Sequence, residues 1–279
     1  MSIDEGLHLD LPHEDYLEQH DWLSASGIKR LIPPSTPAHF KAARGVEEHK
    51  PAFDFGKAAH ARVLGAGEDV VVIDADDWRS KDARLARDAA YEDGKVPILA
   101  KDNVVIDGMA KSLGDHPIAP LLFATGAPEV SAFWTDLATG VRCRARFDWL
   151  PEKQKGRRLV VPDLKTATTA APSEFAKAAA RFGYYAQQEH YRDALMALGV
   201  DDDPAFVFVV IEKEFPYLVT VAQFAEPADV KLARAAVDRA RRVFAECTAT
   251  DTWPGYPPGV NSLSLPGWLH YDLEEYVSA

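Results

Sequence analysis

Asp163 and Lys165 stand two positions apart in an apolar segment, and Asp148 lies fifteen residues upstream. Alternate residues of a strand project to one side. Asp163 and Lys165 therefore point together, while Asp148 falls on the polar side of the preceding strand pattern. If those two polar faces meet, two carboxylates and an ammonium converge. Close carboxylates repel each other, and a divalent cation relieves the repulsion by taking both as ligands. An ammonium beside the ion can orient a water or neutralise charge as it develops. That is equipment for metal-assisted phosphodiester hydrolysis. An Asp–Lys pair on a strand is also a common surface pair, so spacing alone leaves both readings open. His60 adds an imidazole on the inward face of a helical pattern, with Phe53, Gly56 and Leu64. It can be a ligand there or a core histidine with its hydrogen bonds satisfied.

The cysteines narrow the metal chemistry. Cys143 and Cys247 are the only two, so no zinc knuckle, disulfide framework or cysteine-held iron–sulfur cluster can be built from them. A metal would rest on oxygen and imidazole donors. These favour hard ions: Mg²⁺, with Mn²⁺ able to substitute.

The elements that must position these groups follow from pattern. With 279 residues, 47% of them hydrophobic, the chain can bury a sizeable core. Ser24 to Leu31 reads as a capped short helix, and Thr36-Pro37 opens another. Phe53 to Leu64 predicts the His60 helix, closed by Gly65; Asp69 to Ile73 a strand; Lys81 to Tyr91 and Ala100 to Leu113 further helices. From Pro128 the period changes to two. Glu129 to Leu137, Val141 to Leu150 and Leu159 to Lys165 predict a three-strand meander. In the second strand Val141, Cys143, Ala145, Phe147 and Trp149 alternate with Arg142, Arg144, Arg146 and Asp148, one face packed and the other polar. A single helix from Pro172 to about Leu198 follows, then strands Ala205 to Glu212 and Leu218 to Phe224, and a helix from Glu226 to about Cys247. The expectation is one α/β domain over 1–279, with a mixed sheet flanked by helices. Residues 1–127 form a helical N-terminal elaboration, 128–250 the sheet and helices of the site, and 251–279 an irregular tail. Pro162, just before Asp163, removes a ladder donor and implies a bulge or an unpaired position.

Charge is unevenly spread over a chain of net −12. Residues 141–165 carry eight bases against three acids. Arg142, Arg144, Arg146, Lys153, Lys155, Arg157 and Arg158 can form a phosphate-binding patch or a solvated hairpin face. Arg234, Arg239, Arg241 and Arg242 read as a solvated helix face, and Glu189 and His190 as solvated side chains. Trp253, Tyr256 and Trp268 in the tail read as packing rather than base-stacking residues. The longest clean apolar run, Ala205 to Ile211, is far short of the roughly 20 residues of a membrane helix. Met1 to Asp10 holds three acids and no base, unlike a secretory signal, so a cytoplasmic location is expected.

Seven segments in order resemble the PD-(D/E)xK nuclease superfamily, and within it the RecE-type exonucleases (exodeoxyribonuclease VIII-like) of the RecB nuclease group. They are Leu23–Lys29, Phe55–Leu64, Glu129–Trp134, Arg146–Trp149, Asp163–Thr166, Gly183–Tyr191 and Trp253–Tyr256. The resemblance implies a restriction-endonuclease-like fold. It implies His60, Asp148, Asp163 and the carbonyl of Leu164 as metal ligands, and Lys165 as the catalytic lysine. Gln187 and Tyr191 match the Q-x-x-x-Y signature, and Glu129 an acid near the metal or the phosphate. The implied activity is a Mg²⁺-dependent DNA exonuclease, resecting linear double-stranded DNA from the 5′ end. A RecT-type annealing protein is the implied partner, and a homo-oligomeric ring the implied assembly. Two rival readings are a Cas4-like single-strand nuclease without its iron–sulfur cluster and a non-catalytic DNA-binding or assembly module. The intact set His60, Asp148, Asp163 and Lys165 argues against the second.

Overall fold

The structure is a computed structural model, and it describes residues 3–45 and 51–277. In chain order the elements begin with β1 (Gly6–His8), α1 (His13–Glu18), β2 (Leu23–Ser24), α2 (Ala25–Leu31), α3 (Pro37–Ala43) and α4 (Pro51–Leu64). They continue with β3 (Val70–Ile73), α5 (Lys81–Glu92), β4 (Val96–Leu99), α6 (Ala100–Asp115) and α7 (Ala119–Leu122). Next come β5 (Ala127–Thr135), β6 (Arg142–Leu150), β7 (Val160–Ala167), α8 (Pro172–Phe182) and α9 (Tyr184–Ala197). The remainder is β8 (Ala205–Glu212), β9 (Val219–Ala222), α10 (Pro227–Thr250) and α11 (Gly267–Val277). The architecture is mixed α/β with helices flanking the strands, as expected.

The strands form a sheet of order β1-β5-β6-β2, a sheet β7-β8-β9 and a small pair β3-β4. Here the structure departs from the expected meander. β5 and β6 make an antiparallel hairpin, whereas β7 pairs in parallel with β8 and has no ladder to β6. One side-chain bond spans that junction: Leu164 N–H donates to Asp148 Oδ2 at 2.8 Å. Strand residues two apart direct their backbone groups to the same side. Pro162 therefore presents its missing donor toward β6, where no ladder exists, and β7 stays in continuous register with β8 from Val160 to Ala167. The position is unpaired, without a bulge.

Three further differences have local causes. The expected long helix is two, α8 and α9, broken at Gly183, whose φ is +68°. A Cβ there would come within 3.0 Å of Lys29 Cγ, so both the backbone conformation and the passage of Lys29 require glycine. The N-terminal part is not purely helical, because β1 and β2 join the sheet on β5 and β6. The tail contains α11, although 252–266 are irregular.

The main core lies between the sheets and α9, built on Trp134, Phe147, Val161, Leu195, Phe206 and Phe208. α9 is unusual in burying polar residues around most of its circumference. Glu189 and His190 are not solvated; both are 0% exposed. Glu189 pairs with Arg192 (3.0 Å) and Arg234 (2.9 Å). His190 Nε2 donates to the carbonyl of Arg144 (3.0 Å), which leaves Nδ1 to accept from Arg241 (3.1 Å). Burial, then the Arg241 charge, hold this imidazole well below the ordinary histidine range. Arg241 likewise is no surface residue: it is 2% exposed and bridges Asp136 (3.1 Å) and Asp193 (2.9 Å).

Candidate active site

Four elements deliver the predicted residues to the β6–β7 junction. β6 carries Asp148, β7 carries Asp163 and Lys165, α4 brings His60, and α9 brings Gln187 and Tyr191. His60 Nδ1 lies 3.6 Å from Asp148 Oδ2, the oxygen that also accepts from Leu164 N–H. Asp163 is 1% exposed. Its Oδ1 accepts from Gln187 Nε2 at 2.6 Å, and its Oδ2 ion-pairs with the Lys165 ammonium. Tyr191 donates its hydroxyl proton to the carbonyl of Arg146 at 2.8 Å, so it braces β6 from within the core.

Glu129 faces the same place by a strained route. Pro128 and Val130 pair with Trp149 and Phe147, which sets Glu129 opposite Asp148. Its φ is +54°, a left-handed conformation that non-glycine residues seldom adopt. Arg146 Nε donates to its carboxylate at 2.6 Å, while Arg146 Nη1 reaches Ser131 Oγ (2.9 Å) and the carbonyl of Leu11 (3.0 Å).

The electrostatics follow from crowding. Burial and then the Asp163 charge push the Asp148 carboxyl up to about 6, against the pull of His60 and Lys165. Burial opposes the charge of Lys165, but Asp163 and Asp148 outweigh it and the net shift is upward. Its ammonium also sits 4.9 Å from the centre of the Tyr184 ring.

The donor chemistry fits a hard divalent cation: two mutually repelling carboxylates and an imidazole. Asp163 Oδ2 is buried and takes no hydrogen bond among the described residues, its near neighbour being the Lys165 ammonium. The Leu164 carbonyl shares the side of its N–H and so lies outside the β7–β8 ladder. The donors are not drawn together into a finished cage. Among the described residues no three His, Cys, Asp or Glu side chains gather as metal sites do.

The expected phosphate patch is dispersed. Arg144 is buried, donating to the carbonyl of Tyr16 and lying 4.6 Å from that ring's centre. The polar face of β6 is thus covered by α1 rather than open. Arg146 is held by Glu129, Lys153 by Asp201, Arg158 by Asp203, and Arg142 lies 3.6 Å from Asp21 and over Trp22. Lys155 and Arg157 remain exposed on the loop. Of the tail aromatics, Trp253 stacks on Phe40 and Tyr256 sits edge-on to His39; the side chain of Trp268 lies outside the described residues.

One residue was missed by sequence reasoning. Lys29 of α2 donates to Gln187 Oε1 at 3.2 Å and sits 4.8 Å from the centre of the same Tyr184 ring that Lys165 covers. Its segment resembles the family, but nothing in its spacing marks the lysine.

The β6–β7 junction and its surrounding helices define a PD-(D/E)xK-type α/β protein. Residues 24–265 match a family described as a PDDEXK-like domain of unknown function (DUF3799), and the chain belongs to that family. Among solved structures it is similar to a protein from Eubacterium rectale described as a "putative exonuclease", at 13% identity and a TM-score of 0.56. The similarity covers 90% of this chain and 97% of that one, and it speaks to the fold. No curated protein matches the sequence. No helix among the described residues is long and apolar enough to cross a membrane.

Proposed function

We propose that this protein is a Mg²⁺-dependent DNA exonuclease. The observation that carries the reading is the meeting of Asp148, Asp163, Lys165 and His60 at the β6–β7 junction of a PDDEXK-like fold. Asp148, Asp163, His60 and the Leu164 carbonyl would hold the ion. Such an ion polarises a phosphoryl oxygen and lowers the pKa of water. Lys165 then places a fixed positive charge where negative charge grows on the phosphate. Gln187 keeps Asp163 from rotating by bonding Oδ1, and Tyr191 fixes the backbone two residues before Asp148. Glu129 sets Arg146, and through it the start of that same segment.

The substrate in this reading is linear double-stranded DNA, resected 5′ to 3′ to leave a single strand for a RecT-type annealing partner. This finer part rests on the motif resemblance, as does assembly into a ring. The deciding assay uses linear duplex labelled at the 5′ end or at the 3′ end, with Mg²⁺ or with EDTA. Mg²⁺-dependent release of 5′-labelled nucleotides is expected. It should be nearly abolished by Asp163→Ala, Asp148→Ala and His60→Ala. Cleavage by Asp163→Ala at the wild-type rate would place the active site elsewhere. Preference for single strands would favour the Cas4-like reading.

A further inference from the structure

Lys29 and Lys165 converge on one aromatic ring. The first lies 4.8 Å and the second 4.9 Å from the centre of Tyr184. Their roles in the resting protein differ. Lys165 is compensated by Asp163, whereas Lys29 makes no ion pair among the described residues and donates to the neutral carbonyl of Gln187. Ammoniums gathered on one ring repel each other, and the positive charge of Lys165 is felt at Lys29. Burial first and Lys165 second pull the Lys29 amine down to about 8, and the Asp163 carboxylate, already paired with Lys165, offsets only part of this. The chain also reserves space for it. Gly183, in the break between α8 and α9, lets the Lys29 stem pass closely, since a Cβ there would lie 3.0 Å from Lys29 Cγ and press on it. A cation so placed, beside the acidic pair and with no ion pair of its own among the described residues, suits a site whose anion arrives with the substrate.

We propose that Lys29 is a substrate-binding residue that takes a non-bridging oxygen of the DNA phosphate chain, next to the phosphate met by Lys165. Its bond to Gln187 is the resting contact, given up or shared when the phosphate enters. The inference rests on the nuclease reading, and it adds a second cation to that site. Phosphodiester is the expected anion because it matches two ammoniums set on one ring, and a linear duplex supplies it in series.

The test compares the wild type with Lys29→Met and Lys29→Arg on a 5′-labelled linear duplex. Cleavage is measured with Mg²⁺. Binding is measured in EDTA across a salt series. Lys29→Met should lose on the order of 10- to 100-fold in kcat/KM, the range for a hydrogen bond to a charged group. The slope of log affinity against log salt should shrink by about 0.9, the value for one phosphate contact on duplex DNA. Lys29→Arg should keep the wild-type slope. Because the net effect of its surroundings disfavours the charged lysine, Lys29→Met should melt no lower than wild type; if it fails to fold, Lys29→Gln enters the same series. Wild-type kcat/KM and slope in the neutral variant would overturn the proposal. Lost activity with an unchanged slope would also overturn it, leaving Lys29 as a positioning residue acting through Gln187. Should the wild type bind DNA yet fail to cut it, the nuclease reading falls, and the slope alone still judges Lys29. If it binds no DNA, both fall.

Discussion

Replacing Asp148 by asparagine should make the metal-free protein more stable while destroying its proposed activity. The carboxyl is held up to about 6 by burial and by Asp163, against an ordinary 3.8. A folded-state value above the unfolded one means that the folded protein binds the extra proton between about pH 4 and 6. Stability therefore falls as pH rises through that window, and the penalty is complete above it. Two pKa units correspond to about 3 kcal/mol as an upper figure. The replacement amide carries no charge, and its carbonyl oxygen can still accept from Leu164 N–H, so the bond across the junction survives. The expected gain at pH 7 in EDTA is about 1–3 kcal/mol. For a chain of this size that is a rise of roughly 2–10 °C in Tm. Thermal melts of both proteins in EDTA from pH 4 to pH 8 measure it. The two curves should converge near pH 4, separate between pH 4 and about pH 6 and keep a constant gap above it. Added Mn²⁺ should raise the Tm of the wild type only. If Asp148→Asn is the less stable protein at pH 7, or if the difference does not depend on pH, the carboxylates do not repel in the way described.

Other expectations test separate parts of the site. Lys165→Met should lower kcat by about 10²–10³, the usual cost of one preorganised donor, while calorimetry shows Mn²⁺ binding retained; loss of metal with normal turnover would make the lysine structural. Neutralising Lys155 and Arg157 together should reduce the salt slope of DNA binding by up to about 1.8 if both meet phosphate, and an unchanged slope would make the loop a bystander. Arg241→Met leaves Asp136, Asp193 and His190 facing a vacated charge, so denaturant unfolding should show a loss of about 3–5 kcal/mol. A loss under about 1 kcal/mol would show that this buried network relaxes freely.

The legible part of this protein was local. Period two placed Asp163 and Lys165 on one side of β7 and Asp148 on the polar side of β6. Helical spacing and a stop at Gly65 placed His60. Each signal lies within a few residues, which is the range over which pattern constrains backbone. What escaped was long-range compensation. Arg144, Arg241, Glu189 and His190 carry the composition of surface residues, and their burial depends on partners tens of residues away, from Tyr16 to Asp136. The left-handed Glu129 escaped because its neighbours in the hairpin pair normally. Lys29 escaped because a lysine in a short amphipathic helix has nothing in its spacing to distinguish it.

The same distinction explains why the site lies where it does. A sheet in continuous register satisfies its backbone groups strand by strand and leaves no reason for a carboxylate to reach between strands. β6 and β7 have no such ladder. Leu164 N–H must find an acceptor, and Asp148 supplies one, which commits that carboxylate to a position beside Asp163. The proline that looked like a flaw in β7 is tolerated for the same reason, since its side of the strand owes no ladder bond. The unpaired junction thus builds the acidic pair as a by-product of satisfying the backbone. It also fixes the order of costs: Asp148 is retained at the expense of stability, and His60 and Lys165 offset part of its charge. A chain selected for stability alone would close the ladder between β6 and β7, and in closing it would lose the acidic pair on which the proposed cation site rests.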